Sequence, residues 1–384
     1  MMKNKIYRLL LAMLILPGLV YFACEGPDQP VYGPGHPDPN PTGLAPAQLD
    51  SLSPNIGYLK EIVTFHGSGF NANPDFNFVL FGSNPGKVLQ ASPTELQVQA
   101  PLLVGDSIGV RVAVKGSEFW SDTLGFTFQQ LPPPEVINED ISWPNGVAVD
   151  DDENVFVGSG NDAKIYRITP AGEMTSFADV AVSGSIHFGP EKYLYVCMKN
   201  DDKIVRISPD GSTIEDVINV ASPVDFVWDG NKNMYVVSNS GDIFKVVNNE
   251  AVTAASLSSP KNCRIFEGYL YINDIWEGQI VRLPITTDGL GEVEVVLETD
   301  SPSTLELDYQ GTLFFAKAWE TSLFVYDTDG SEYTFFEGEL MTPMRYTAFK
   351  NRTLYFVYPG WADVGMVMKA YIGVQESVEY GILP

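Results

Sequence analysis

Cysteine is scarce in this chain: of 384 residues only three are cysteine, at positions 24, 197 and 263. Three cannot build the paired framework on which small secreted folds depend, nor a cysteine-ligated zinc site. Positive charge is scarce too. There are 23 Lys and Arg against 49 Asp and Glu, a formal net charge of −26. Such a surface repels nucleic-acid phosphate, so nucleic acid is excluded as a partner. The sequence also lacks a nucleophile elbow, a phosphate-cradling glycine loop, a zinc motif and a dinucleotide fingerprint. What remains is a chain 45% hydrophobic and 12% aromatic, ample for a core, with aromatics concentrated in short runs as strands use them.

Those runs repeat. A Pro-led turn, a short apolar strand, a turn, a second strand rich in aromatics and a third strand come round six times. The opening position falls at Pro144, Ser183, Pro223, Pro260, Pro302 and Pro343. The second strands include Asn154-Val155-Phe156-Val157, Tyr193-Leu194-Tyr195-Val196, Asn233-Met234-Tyr235-Val236, Tyr269-Leu270-Tyr271-Ile272, Thr312-Leu313-Phe314-Phe315 and Thr353-Leu354-Tyr355-Phe356. A period of roughly 40 residues with several short strands per unit predicts a β-propeller, here over residues 142–384. Each blade is too small to bury both faces alone, so neighbours packed around an axis bury each other. Cys197 and Cys263 fall two blades apart, too far for a disulfide, and read as buried small hydrophobes.

The phrase Pro144-Asn145-Gly146-Val147-Ala148-Val149-Asp150, followed by Asn154-Val155-Phe156-Val157, resembles the NHL repeat. The later blades keep the spacing and lose most of the Gly and Asp marks. Before the propeller lies a second all-β module, residues 47–130. Its Leu52-Ser53-Pro54 start, its Ile62-Val63-Thr64-Phe65-His66-Gly67-Ser68-Gly69-Phe70 segment and its alternating strands resemble the IPT/TIG family of immunoglobulin-like sandwiches. That resemblance implies a spacer or binding module. His66, beside the Gly67-Ser68-Gly69 turn, reads as structural. The expected fold is therefore all-β, an Ig-like sandwich followed by a six-bladed propeller.

Residues 131–141 are a linker opened by Pro132-Pro133-Pro134, which cannot continue a hydrogen-bonded ladder. Two segments compete to supply the outer strand of the last blade and close the ring: Glu135-Val136-Ile137-Asn138, or the tail from Val374 to Ile382. At the other end, Lys3, Lys5 and Arg8 precede an apolar run from Leu9 to Ala23 and then Cys24. This resembles a bacterial lipoprotein signal, with Cys24 as the lipidated residue and residues 1–23 removed. Tyr21 and Phe22 depart from that pattern, and an uncleaved anchor or plain secretion are the alternatives. Residues 24–46 are rich in Pro, Gly, Asp and Asn, as befits a semi-rigid tether to a membrane. The expected location is the cell envelope, lipid-anchored at the outer membrane or cell surface.

Candidate sites come from aligning the blades. On the first strands, the columns Val147, Ile186, Phe226, Cys263, Leu305, Tyr346 and Val149, Phe188, Trp228, Ile265, Leu307, Ala348 are core. The alternating columns, Gly146, Ser185, Asp225, Asn262, Thr304, Arg345 and Ala148, His187, Val227, Arg264, Glu306, Thr347, face the axial channel or its rim by period-two logic. Blade one is also similar to gluconolactonase-type propellers, which hold a divalent metal with Glu, Asn and Asp of inner strands. That resemblance would cast Asp225, Asn262 and Glu306 as metal ligands, although the family's motifs are not matched residue by residue. The plainer expectation is that Arg264 pairs with Glu306 across neighbouring blades while Asp225 and Asn262 hydrogen-bond within a wet channel. No cofactor is called for, calcium or another divalent ion being the one candidate. Asp150-Asp151-Asp152-Glu153-Asn154 reads as a solvated turn rather than a calcium loop.

A second column lies on the loops after the second strands. Trp276-Glu277 and Trp319-Glu320 align there, with Trp361 in the longer loop of the last blade. Aromatics beside carboxylates suit sugar stacking or peptide binding; tucked indoles capping neighbouring loops are the alternative. Three functions stay open. The first is an envelope binding module for an unidentified ligand, a glycan or an envelope protein. The second is a lactonase-like hydrolase or lyase using the channel. The third is an assembly scaffold. Aromatic loops favour binding, and a recognisable catalytic motif would have favoured the second.

Overall fold

The computed structural model describes Asp38, residues 40–360 and residues 365–377. Strands 48–53, 62–68, 95–99 and 84–91 form one layer of the N-terminal module, and strands 77–81, 107–114, 124–128 and 56–57 the other. The hairpin 77–81/84–91 joins them. Alternate residues point inward, so Phe65, Phe81, Leu96, Val98, Val112, Phe126 and Phe128 fill the sandwich, with Phe81 meeting Phe126 edge-on at 5.4 Å. The tether ends sooner than its composition suggests. Asp38 Oδ2 accepts the Gly116 amide at 2.6 Å, and Thr42 and Leu44 donate to the Gly116 carbonyl. Backbone groups of the sandwich edge are met there, which orders Asp38 and residues 40–46 against it. Cys24 and the preceding segment lie outside the described residues.

Six sheets follow around one axis. Five are built from consecutive strands, with inner strands 144–149, 186–188, 223–228, 260–266 and 306–307. The sixth carries 346–350, 353–358 and 366–371, and its outer strand is Glu135–Asn138. Val367, Met368 and Lys369 pair antiparallel with Asn138, Val136 and Glu135, and Lys369 Nζ lies 3.2 Å from Glu135 Oε2. The ring is thus closed from its N-terminal side. The rival segment does something else. Tyr309 donates to the Gln375 carbonyl and Ser377 to the Leu307 carbonyl, so residues 374–377 lie against the fifth blade; residues 378–382 of that segment lie outside the described residues.

Cores lie between blades, as the repeat requires. Ile186, Val196 and Val205 of the second blade pack with Ala148, Phe156 and Ile165 of the first; Phe226 and Trp228 of the third pack with Tyr195 and Cys197 of the second. Gly146 has φ +67°, and a Cβ there would stand 2.9 Å from the Gly184 carbonyl oxygen of the next blade. Glycine at this point lets the first inner strand bulge, as the register between Asn145 and Val147 records.

The turn after an inner strand has its own device. Asp150 Oδ1 accepts the amides of Asp152 and Asn154 while Oδ2 accepts the Asn154 side-chain amide at 2.7 Å. Asp229 treats Asn231 and Asn233 identically in the third blade. The acidic run at 150–153 is therefore a self-satisfied turn, with Asp151 paired to Lys192 and Lys350. In the fifth blade Asp308 Oδ1 again accepts two amides, from Gln310 and Thr312, but a threonine stands where the asparagine was. Lys60 of the sandwich reaches into this turn, 3.1 Å from Asp308 Oδ2 and 3.0 Å from Asp327 Oδ1, and also contacts Thr312 Oγ1. Around it Leu59 and Leu102 join the Phe314, Phe349 and Met344 core, Tyr58 meets Tyr371 edge-on at 5.0 Å, and Gln99 Nε2 donates to Tyr309 Oη at 2.8 Å. The sandwich keeps its own core but shares a second one with the propeller.

Candidate functional site

The channel residues meet in one network across the axis. Arg264 makes a bidentate pair with Glu306, Nε to Oε2 at 2.8 Å and Nη2 to Oε1 at 2.6 Å. Its Nη1 reaches Asp225 Oδ2 at 3.1 Å and the Cys263 carbonyl at 2.7 Å. Asp225 Oδ1 lies 2.7 Å from His187 Nε2 and accepts the Phe226 amide, and its Oδ2 accepts the Cys263 amide. Thr347 Oγ1 donates to Glu306 at 2.7 Å. Asn262 donates its backbone amide to Asn273 Oδ1 at 2.6 Å, and its side-chain amide reaches Asp225 at 3.5 Å. Five blades contribute, the second through the sixth. The network is buried: Asp225 is 0% exposed, Glu306 3% and Arg264 5%.

Desolvation pushes the Asp225 carboxyl up, but the charge and hydrogen bond of His187 and the charge of Arg264 outweigh it and hold the group well below the usual carboxylate range. Burial, reinforced by the Asp225 charge, pushes the thiols of Cys197 and Cys263 well above their ordinary value, and both are free; such thiols are poor nucleophiles. The donor set does not fit a metal as the axis stands. The guanidinium of Arg264 lies between Asp225 and Glu306 and occupies the oxygens a cation would need. Among the described residues no group of three His, Cys, Asp or Glu side chains gathers in a metal-holding arrangement.

Where the inner strands begin and the second strands end, the chain forms the opposite face from the Lys60 contact. Here Trp276 is 80% exposed and Trp319 76%, so neither indole is tucked beneath a loop. Their backbones are held firmly all the same. Asp274 accepts the amides of Ser258 and Ser259 at 2.8 Å, Ile275 donates to the Ser259 carbonyl and Thr299 to the Gly278 carbonyl. Ala318 donates to the Ser301 carbonyl and Glu320 to Lys317. Trp276 edges an open groove of about 670 Å³ between the fourth and fifth blades, with Glu277, Gln279, Glu298, Asp300 and Lys317 on its walls. Trp319 and Glu320, also exposed, stand two and three residues beyond Lys317. Trp361 lies outside the described residues.

Arg345 does not join the axial network. Its guanidinium sits above Trp143, 5.7 Å from the ring centroid, on a separate cleft of about 270 Å³ at the junction of the first, second and sixth blades. The sequence columns placed Arg345 at the channel or its rim, and it stands at the rim, one residue before Tyr346 pairs into the inner strand. Trp143 and Lys199, which share this cleft, belong to no repeating column and gave no signal in the sequence.

Residues 47–128 match the IPT/TIG domain family model. No curated protein matches the chain with significance. Among solved structures, a structural-genomics protein of unknown function from Bacteroides thetaiotaomicron superposes with TM-score 0.57 at 15% identity, over 86% of this chain and 99% of that one. An auxiliary nutrient binding protein from the same organism gives TM-score 0.51 at 12% identity, over 88% and 100%. A gluconolactonase from Xanthomonas campestris gives 0.53 at 13%, over 63% of this chain and 95% of that one. At these identities the likeness is one of fold: an IPT/TIG sandwich joined to a six-bladed propeller in this chain, and a shared propeller in the third comparison.

Proposed function

We propose that this chain is a cell-envelope binding protein that captures a glycan on the propeller face bearing Trp276 and Trp319. The observation that carries the reading is the pair of indoles, 80% and 76% exposed, at one loop position on consecutive blades. An exposed indole on a pinned backbone presents a flat apolar face at little entropic cost, and the carboxylates and amides beside it can meet sugar hydroxyls. A scaffold has no need to leave two such rings in water. The nutrient-binding name borne by one fold neighbour agrees with the reading. Anchoring at Cys24 would hold the face away from the membrane, with the IPT/TIG sandwich as a spacer. The hydrolase reading, suggested by the gluconolactonase likeness, has to contend with Arg264 filling the axis.

A glycan array followed by calorimetry on the full chain tests this. Trp276→Ala and Trp319→Ala should each weaken the glycan found by about 2 kcal/mol or more, with melting nearly unchanged. Glu306→Gln and Asp225→Asn should leave the rim contacts intact wherever the fold survives. Binding lost only in the axial variants, with both tryptophan variants silent, would sink the proposal and move the site to the channel.

A further inference from the structure

In a chain of net charge −26, three cations stand near one another at the rim of the axis. Lys199 follows the second strand of the second blade, Lys261 opens the inner strand of the fourth, and Arg345 precedes that of the sixth. None of the three makes an ion pair among the described residues. Lys261 donates to Asn239 Oδ1 at 2.7 Å, and Arg345 rests on Trp143. They are near enough to feel one another. Burial first, then the charges of Lys199 and Arg345, push the Lys261 ammonium below its ordinary value, against the smaller opposing charge of Asp274. Like charges held together repel, and they do so strongly when partly desolvated. Nothing in the packing requires that repulsion, since Arg345 is exposed and Lys199 half-buried.

Lys199 and Arg345 open onto the 270 Å³ cleft. Its other walls offer Asn145, Asn161, Asn200 and Ser183, and the Trp143 indole forms part of the lining. Among the described residues Asp201 is the one carboxylate lining it. The size lies just below the roughly 300 Å³ at which pockets for drug-sized molecules begin, which suits one ring rather than a chain of them. A planar guanidinium matches a carboxylate bidentately, amides and a serine hydroxyl match ring hydroxyls, and an indole edges an apolar ring face.

We propose that this cleft, between the first, second and sixth blades, is a binding site for a single carboxylate-bearing sugar ring, its carboxylate received by Arg345 and Lys199. The site is separate from the Trp276 groove on the fourth and fifth blades and does not depend on it. The test is calorimetry of the full chain with D-glucuronate, D-glucose and inorganic phosphate. Glucuronate should bind at least about tenfold more tightly than either of the others, a difference of about 1.4 kcal/mol. Arg345→Gln and Lys199→Gln should each erase most of that preference while Trp276→Ala leaves it in place. Raising salt from about 0.05 to about 0.5 M should weaken glucuronate and not glucose, a readout that needs no variant to fold. Equal binding of glucuronate and glucose, or no glucuronate binding, overturns the site. Phosphate binding as tightly as glucuronate overturns the sugar assignment.

Discussion

Lys60 Nζ donates to Asp308 Oδ2 at 3.1 Å, the position that an asparagine amide of the same turn occupies in the first and third blades. The sandwich thereby completes a turn that the propeller leaves unfinished. Asp308 is 0% exposed on its side chain, and Asp327 shares the same ammonium. Burial raises the Asp327 carboxyl, but the Lys60 charge and the Thr312 hydrogen bond lower it more. Removing one partner of such a buried pair typically costs about 3–5 kcal/mol, because the remaining charge stays buried and alone. Lys60→Ala should therefore lower the denaturation midpoint of the whole chain, not of the sandwich alone. Adding Thr312→Asn should recover part of the loss, because an asparagine there can supply the missing amide as Asn154 and Asn233 do. A second substitution that gives no recovery would show that Lys60 acts only by packing.

Ring closure by Glu135–Asn138 gives a second expectation. A chain starting at Leu131 retains that strand, whereas one starting at Ser142 leaves residues 366–371 as an open edge with unpaired backbone groups. Both lose the Lys60 contact, so comparing the two isolates the strand. The longer should be a soluble monomer by light scattering and the shorter should aggregate. Equal behaviour would mean that the closing strand is dispensable.

Anchoring is tested at Cys24. Cys24→Ser should abolish lipid labelling and release the chain from the membrane fraction. Retention without label would point to an uncleaved apolar anchor at residues 9–23.

The propeller was legible because its signal is summed over six repeats. Inner-strand columns found Asp225, Arg264, Glu306 and His187 because a two-residue period assigns faces without knowing contacts. The pairing of Arg264 with Glu306 is equally a product of neighbouring blades, so adjacency alone suggested it, while its bidentate geometry needed the structure. Ring closure was not legible: two segments carried equivalent strand patterns, and only tertiary pairing separates them. The Lys60 insertion was hidden for a different reason. It joins residues about 250 positions apart, and its trace in the sequence is one threonine in place of an asparagine at 312. Trp143, Lys199 and Lys261 were missed since their meeting depends on how three blades turn toward the axis, which no period records.

Acid should act on the axial network in a defined direction. The Asp225 carboxyl is held well below its unfolded value of about 3.9. A group with a depressed folded pKa contributes stability that is fully present above the unfolded pKa and is lost as pH falls toward the folded one. Asp225 thus supports the fold at neutral pH, and its contribution declines progressively below about pH 4. Urea midpoints measured at neutral pH and at successive acid steps should fall for the native chain. Asp225→Asn should be less stable at neutral pH, because Arg264 loses a buried counter-charge, and its midpoint should fall less steeply through the acid range. Surface carboxylates contribute to the native slope as well, so the informative quantity is the difference between the two chains. Parallel curves for native and Asp225→Asn would mean that the Asp225 charge does not support the fold, and that the hydrogen bonds an asparagine can still make are what hold the axis together.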